Sequence, residues 1–201
     1  MKYFIFLFLS FGLISCGEST PLVPQVSKNI ESAVFGAPSS KVQLTIFSDY
    51  QCPACISFSK NIGEELYEKY VQNNKITVTY KNFPLTNHKN AERDALAALY
   101  WLSQGKYLEL TKLIYALEDE KQGAKVTDSD RVALWKQVGL DPAEMQKSLD
   151  EGWYRNQITK EKNEGEAMGL QWTPSIYLNG KIMQFTSKEE FFGMIDAVLK
   201  M

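Results

Sequence analysis

The amino-acid sequence predicts an α/β fold with an inserted all-α subdomain, on three observations. A short apolar run ends in Ser48-Asp49-Tyr50-Gln51-Cys52-Pro53-Ala54-Cys55, and a helical pattern leaves it, with Phe58, Ile62, Leu66 and Tyr70 recurring every four residues. From about 87 to 168 the pattern is helical throughout. Two strand-like runs around Asn179-Gly180 and one amphipathic stretch close the chain. The order is therefore strand, helix, strand, several helices, hairpin, helix.

Each element has a local reason. Residues 1–15 read as a lipoprotein signal peptide: Lys2, then an apolar run too short to span a membrane comfortably, then Leu13-Ile14-Ser15-Cys16. That ending resembles a bacterial lipobox, in which the Cys is acylated and begins the mature chain. The alternative is an ordinary signal peptide with a chance Cys. Residues 16–40 hold Pro21, Pro24 and Pro38 among Ser, Thr and Gly, and read as a tether, with an apolar patch at 30–35 able to dock on the domain. A strand over 41–47 and a helix over 52–70 follow, then a β-branched, alternating strand at 76–80, ended by Asn82-Phe83-Pro84-Leu85.

The helical insertion is expected over 87–168, with 41–86 and 169–201 forming one domain around it. Helices are expected at 91–103, 107–117, 127–138 and 153–168, with another opened by Asp141-Pro142. Thr127-Asp128-Ser129-Asp130 resembles a capping box with Asp in place of Glu or Gln, and Asp141-Pro142 puts a cap before a first-turn proline. Asn-Gly at 179–180 predicts a hairpin turn. Ser187-Lys188-Glu189-Glu190 predicts a capping box on the last helix.

A chain of 201 residues with 44% hydrophobic and 23% charged content has room for one medium globular domain. A net charge of −2 without a basic stripe argues against nucleic acid as a partner. The three cysteines become an even set for an oxidising compartment once Cys16 carries lipid, leaving Cys52 and Cys55 as a pair. One Cys-x-x-Cys at a helix start points to redox exchange rather than a disulfide framework. The first helical turn has free N–H groups and the positive end of the macrodipole, so a thiolate there is stabilised. Pro53 suits that turn, and Cys55 lies on its same face.

The competing readings of the pair are a structural disulfide or part of a metal site. Structural zinc wants four protein ligands. This chain offers Cys52, Cys55 and His88, its only His. Haem attachment needs His directly after the second Cys, where Ile56 stands. A copper-delivery site with His88 as third ligand stays open. His88 is either an acid–base group or a polar residue at the start of the insertion. Asp49 is either a loop acid holding backbone N–H groups or a proton relay. Trp101, Tyr107, Tyr115 and Trp135, with Met168, Met183 and Met194, are expected in the core.

This order, with Phe47-Ser48-Asp49-Tyr50-Gln51-Cys52-Pro53-Ala54-Cys55, Lys81-Asn82-Phe83-Pro84-Leu85 and Gly169-Leu170-Gln171-Trp172-Thr173-Pro174-Ser175, resembles the DsbA-like family of thiol–disulfide oxidoreductases, which have a thioredoxin-like fold with a helical insertion. The resemblance implies that Cys52 attacks and Cys55 resolves. It implies that Thr173-Pro174 is a cis-proline turn facing the dithiol and lining a substrate groove with Pro53 and Ala54. It implies no cofactor beyond the redox-active Cys52–Cys55 disulfide. Its partners would be exported protein thiols and disulfides, and a membrane protein that resets the site, either a quinone-linked oxidase or a thiol reductant. With Cys16 in membrane lipid, the expected place is extracytoplasmic, anchored to a bacterial membrane. Two positions depart from the pattern. Ala54 stands where strongly oxidising members carry His, and Ile46 stands where thioredoxin and many relatives keep a buried acid. If Cys55 needs a proton relay, Asp49 or a water must serve. The rival expectation is a thioredoxin-fold metallochaperone or a non-catalytic binding lipoprotein.

Overall fold

Five strands, β1 (Ala33–Gly36), β2 (Gln43–Ser48), β3 (Thr77–Asn82), β4 (Ser175–Leu178) and β5 (Lys181–Ile182), form one mixed sheet in the order β1-β3-β2-β4-β5. The computed structural model describes residues 27–123 and 125–201. The expected signal peptide, Cys16 and the tether up to residue 26 lie outside them. β2 runs parallel to β3 and antiparallel to β4. The crossover from β2 to β3 is the helix that leaves the Cys-x-x-Cys.

The tether expected over 16–40 is corrected at its C-terminal end, where β1 pairs antiparallel with β3. The reason is side-chain alternation. Ala33 is buried, Val34 faces out, and Phe35 stacks on Tyr107 at 5.6 Å between ring centroids. The apolar patch docks by completing a sheet edge.

α1 consists of four consecutive helical segments, Pro53–Phe58, Ser59–Gly63, Glu64–Leu66 and Tyr67–Val71. The second and fourth are π-type turns. An apolar repeat of four is longer than the 3.6-residue α-helical turn, so a straight α-helix would rotate it off the sheet. The wider turns keep Ile62, Leu66 and Tyr70 buried on one line. They meet Leu44, Ile46, Val78, Ile176 and the last helix, α7 (Lys188–Leu199), in the sheet core.

Between β3 and β4 lie α2 (Ala91–Ser103), α3 (Tyr107–Lys121), α4 (Asp128–Gln137), α5 (Pro142–Asp150) and α6 (Arg155–Ala167). They pack around Trp101 and Trp135, both fully buried. α3 runs four residues past its expected end, and α6 starts two residues after its expected start. Three buried charges join the insertion. Arg131 on α4 donates to both carboxylate oxygens of Asp94 on α2, at 2.7 and 2.9 Å, and to Glu118 on α3 at 3.0 Å.

The expected caps are present with one change. Thr127 and Asp130 form the reciprocal box, and Asp141 accepts from Ala143 N–H at 2.8 Å. Ser187 accepts from Glu190 N–H, but the Glu190 carboxylate reaches Thr186 N–H at 2.7 Å rather than Ser187. Asn179 and Gly180 both have positive φ, the signature of a type I′ hairpin turn. Gly165 has no room for a side chain: a Cβ there would lie 2.7 Å from the Phe83 ring. That contact holds α6 against the loop after β3. Met183 is in the core and Met194 packs against it, whereas Met168, expected inside, is 42% exposed in the turn after α6.

Candidate active site

Cys52 is the N-cap of α1, with extended backbone (φ −74°, ψ 120°), and Pro53 is the first helical residue. Its carbonyl accepts from Ile56 N–H at 3.0 Å, so the sulfur is held at the mouth of the helix. The Cys52 sulfur lies 3.1 Å from the Thr173 carbonyl oxygen, to which it donates when protonated. The Thr173–Pro174 peptide is cis, as the family resemblance implied. Thr173 is buried, Pro174 is half-buried, and Pro53 and Ala54 are exposed beside the sulfur. Trp172, part of the motif that carries the family resemblance, stands 63% exposed next to this turn.

The two sulfurs differ in environment. Cys55 is 1% exposed and Cys52 7%. The Cys52 thiol is pushed down to about 5, first by a hydrogen bond from the Cys55 thiol, against burial, and then by the Thr173 hydroxyl and the N–H groups of Cys55 and Ala54. Burial pushes the Cys55 thiol well up, and the neighbouring Cys52 adds to the rise. Cys52 is therefore the thiolate at neutral pH and Cys55 its hydrogen-bond donor. Free helix-start amides contribute as expected, but the partner thiol contributes most.

Asp49 is a loop acid in this geometry. Its Oδ1 accepts from Gln51 N–H at 2.7 Å, and its Oδ2 accepts from Leu85 N–H at 2.8 Å and lies 2.9 Å from His88 Nδ1. His88 thus anchors the start of the insertion to the loop before Cys52. Among the described residues no three His, Cys, Asp or Glu side chains converge as metal ligands, and His88 Nδ1 lies against Asp49.

Several residues at the site escaped sequence reasoning. Gln51 accepts from Asn90 N–H at 2.7 Å and donates to Glu118 at 3.3 Å, linking the loop to the Arg131 cluster. The available signal was spacing: Glu118 continues the buried Leu110, Ile114 stripe of α3. A cleft of about 700 Å³ opens beside Pro53, with Ile56, His88 and Glu118 in its wall. On the inner side, a cavity of about 630 Å³ reaches Cys55 and is lined by Ile46, Ser48 and Tyr115. Ser48 Oγ and Tyr115 Oη are 2.7 Å apart. Tyr107 and Tyr115 are therefore not only core: Tyr107 bonds Tyr50 through its hydroxyl, and both reach this cavity.

A family model described as thioredoxin matches residues 28–197. Disulfide bond formation protein D of Bacillus subtilis (strain 168) is 22% identical over 171 residues, 83% of this chain and 77% of that protein. The crystal structure of oxidised BdbD from Bacillus subtilis is similar with a TM-score of 0.70 at 21% identity, over 85% of this chain and 94% of that one. Alpha-DsbA1 from Wolbachia pipientis is similar with a TM-score of 0.74 at 16% identity, over 84% of this chain and 91% of that one. The likeness takes in both the sheet and the helices inserted between β3 and β4, so the fold is thioredoxin-like with a helical insertion.

Proposed function

Because this chain belongs to the thioredoxin family, as a DsbA-like thiol–disulfide oxidoreductase, we propose that it exchanges disulfides with exported proteins through Cys52-Pro53-Ala54-Cys55. A client thiolate attacks Cys52 Sγ, the Cys52–Cys55 bond breaks, and Cys55 leaves with the electron pair. A second client thiolate then attacks the client sulfur, and Cys52 leaves as thiolate. Reduction of a client disulfide uses the same steps in reverse. The observation that carries this reading is the placement of Cys52 at the helix mouth against the Thr173 carbonyl, with Cys55 buried behind it. Pro53, Ala54, Thr173 and Pro174 are the proposed client groove, and Asp49 with His88 the support of its loop. Oxidation of a reduced two-cysteine peptide by the disulfide form, with metal analysis of the same preparation, is the test. Stoichiometric metal without exchange would favour the metallochaperone instead.

The redox poise follows from position 54. Ala54 is exposed in the first helical turn and brings neither charge nor a side-chain hydrogen bond to the thiolate. Ala54→His is expected to lower the Cys52 pKa and to make the protein more oxidising. Each pKa unit gained on the thiolate is worth about 1.4 kcal/mol, about 30 mV for a two-electron couple. An unchanged potential against a glutathione buffer would assign the poise to other groups.

The proposed address is the outer side of a bacterial membrane, with lipid on Cys16 and a membrane redox protein resetting the dithiol. Lys2, the apolar run and Leu13-Ile14-Ser15-Cys16 support it, and no described helix is long and apolar enough to cross a membrane. Cys16→Ser is expected to lose lipid label and membrane retention. Equal labelling of wild type and variant would refute the anchor and leave the redox reading intact.

A further inference from the structure

We infer that Ser48 and Tyr115 form the proton relay of the buried thiol Cys55. The inference rests on the disulfide-exchange reading above. Each exchange changes the charge of Cys55 by one proton: it departs as a thiolate when the disulfide opens and must become one to close it. At 1% exposure it does not trade that proton directly with bulk water. Burial and the neighbouring Cys52 both push its thiol up, and the Ser48 hydroxyl, on the same cavity, opposes the rise.

The carboxylates that could have served are elsewhere. Position 46 is Ile, and the Asp49 carboxylate is occupied by Gln51 N–H, Leu85 N–H and His88. Ser48 lies two residues beyond Ile46 on the same face of the β2 strand, so its hydroxyl points to the same side as a carboxylate at 46 would. It ends 2.7 Å from Tyr115 Oη on α3. Ser48, Cys55 and Tyr115 share the cavity of about 630 Å³, large enough for several waters at about 30 Å³ each. Charged groups lining the same cavity are Lys81, Glu109 and Lys112, and Lys81 and Lys112 are paired with Glu164 and Glu64. Tyr50, Tyr80 and Tyr107 also line it, and burial holds their phenols above the ordinary value, so they stay protonated at neutral pH.

The step balances with the Ser48 and Tyr115 oxygens neutral throughout, the proton leaving through cavity water to bulk solvent. In closing the disulfide, Cys55 passes its proton to Ser48 Oγ as Ser48 passes one to Tyr115 Oη and Tyr115 passes one to cavity water. The Cys55 thiolate attacks Cys52 Sγ and the Cys52–Cys55 bond forms. The bond from Cys52 to the client sulfur breaks, and that sulfur leaves with the electron pair. When the disulfide opens, the same chain returns a proton from water to Cys55.

The test is release of glutathione from the full chain. Cys52 is glutathionylated at mildly acidic pH, where it is the reactive thiolate and Cys55 is protonated, and the protein is then jumped to a series of pH values. Ser48→Ala is expected to slow release about 10²-fold, and Tyr115→Phe about tenfold, as loss of acid–base assistance does. Ser48→Thr keeps the hydroxyl and is expected within about threefold of wild type. The rising limb of rate against pH should move upward in Ser48→Ala, and the solvent deuterium effect should shrink in Tyr115→Phe. If Ser48→Ala does not fold, Tyr115→Phe decides, since its ring still packs on Tyr50 at 4.9 Å between centroids. Slowing with an unchanged pH profile and isotope effect would mean a purely structural role and overturn the relay. So would wild-type rates in both variants. A folded wild type that releases no glutathione overturns the exchange reading itself.

Discussion

Cys55→Ser is expected to accumulate covalent complexes with client proteins on non-reducing gels, whereas Cys52→Ser should accumulate none and lose exchange altogether. Cys52 sits at the helix mouth with its thiol pushed down to about 5, and Cys55 lies behind it at 1% exposure. A client therefore meets Cys52 first, and within this chain Cys55 is the thiol placed to release it when no second client thiolate does. In the reduced protein, alkylation of Cys52 should be half-maximal near pH 5, against about 8.5 for an ordinary thiol. Cys55→Ala should move that midpoint upward, because the Cys55 thiol is the largest stabiliser of the Cys52 thiolate. The same linkage gives a stability signature. A folded-state pKa below the unfolded value contributes stability that is complete above the unfolded value of about 8.5 and is lost as pH falls towards about 5. Within that window the reduced protein should lose about 1.4 kcal/mol per pH unit, and the oxidised protein, which has no thiolate, should not. Parallel pH profiles for the two forms, or trapping by both Ser variants, would contradict the assignment of the sulfurs.

Arg131→Met should cost about 3–5 kcal/mol of folding stability at pH 8, the usual consequence of removing one partner from a buried ion cluster. Arg131, Asp94 and Glu118 are each 1% exposed or less, and Arg131 is the cation between two carboxylates from different helices. Burial already raises the Glu118 carboxyl to about 7, with Asp94 adding to the rise, and burial raises Asp94 too. A carboxyl whose folded pKa lies above its unfolded value favours the folded state at low pH, and that benefit is lost as pH rises through the folded value. Without Arg131 both carboxyls must protonate to stay buried. The deficit should therefore be smaller at pH 5 than at pH 8 in urea titrations. Replacing all three residues with apolar side chains of similar volume should recover most of the loss. A cost below 1 kcal/mol, or one equal at both pH values, would show that the cluster is not what holds α2, α3 and α4 together. Because Gln51 bonds Glu118 at 3.3 Å, the variant should also loosen the loop before Cys52, read as a change in its alkylation rate.

Local chemistry determined much of this protein from the sequence alone. An apolar strand running into Cys52-Pro53 dictates a helix start, because proline tolerates only that turn of a helix and the following apolar positions repeat at helical spacing. Asn179-Gly180 dictates a hairpin turn, and Thr127 and Asp141 dictate helix starts, because each satisfies backbone geometry or orphan N–H groups within a few residues. Only the tertiary structure decided where distant polar atoms meet. The β1 strand was hidden in a proline-marked stretch because its pairing with β3 is formed across about forty residues and leaves no local periodicity. The strict four-residue stripe of α1 could be kept on the sheet only by π-type turns, whose need arises from packing rather than propensity. Asp94 looks like an ordinary helix-surface acid, and Glu118 only like an acid in line with Leu110 and Ile114, until Arg131 arrives from a third helix. Ser48 and Tyr115 are 67 residues apart, yet close to 2.7 Å behind Cys55. A hydroxyl or a carboxylate has no side-chain periodicity of its own. Its partner is chosen by which elements the apolar core brings together, and that is information the order of residues carries only through the fold.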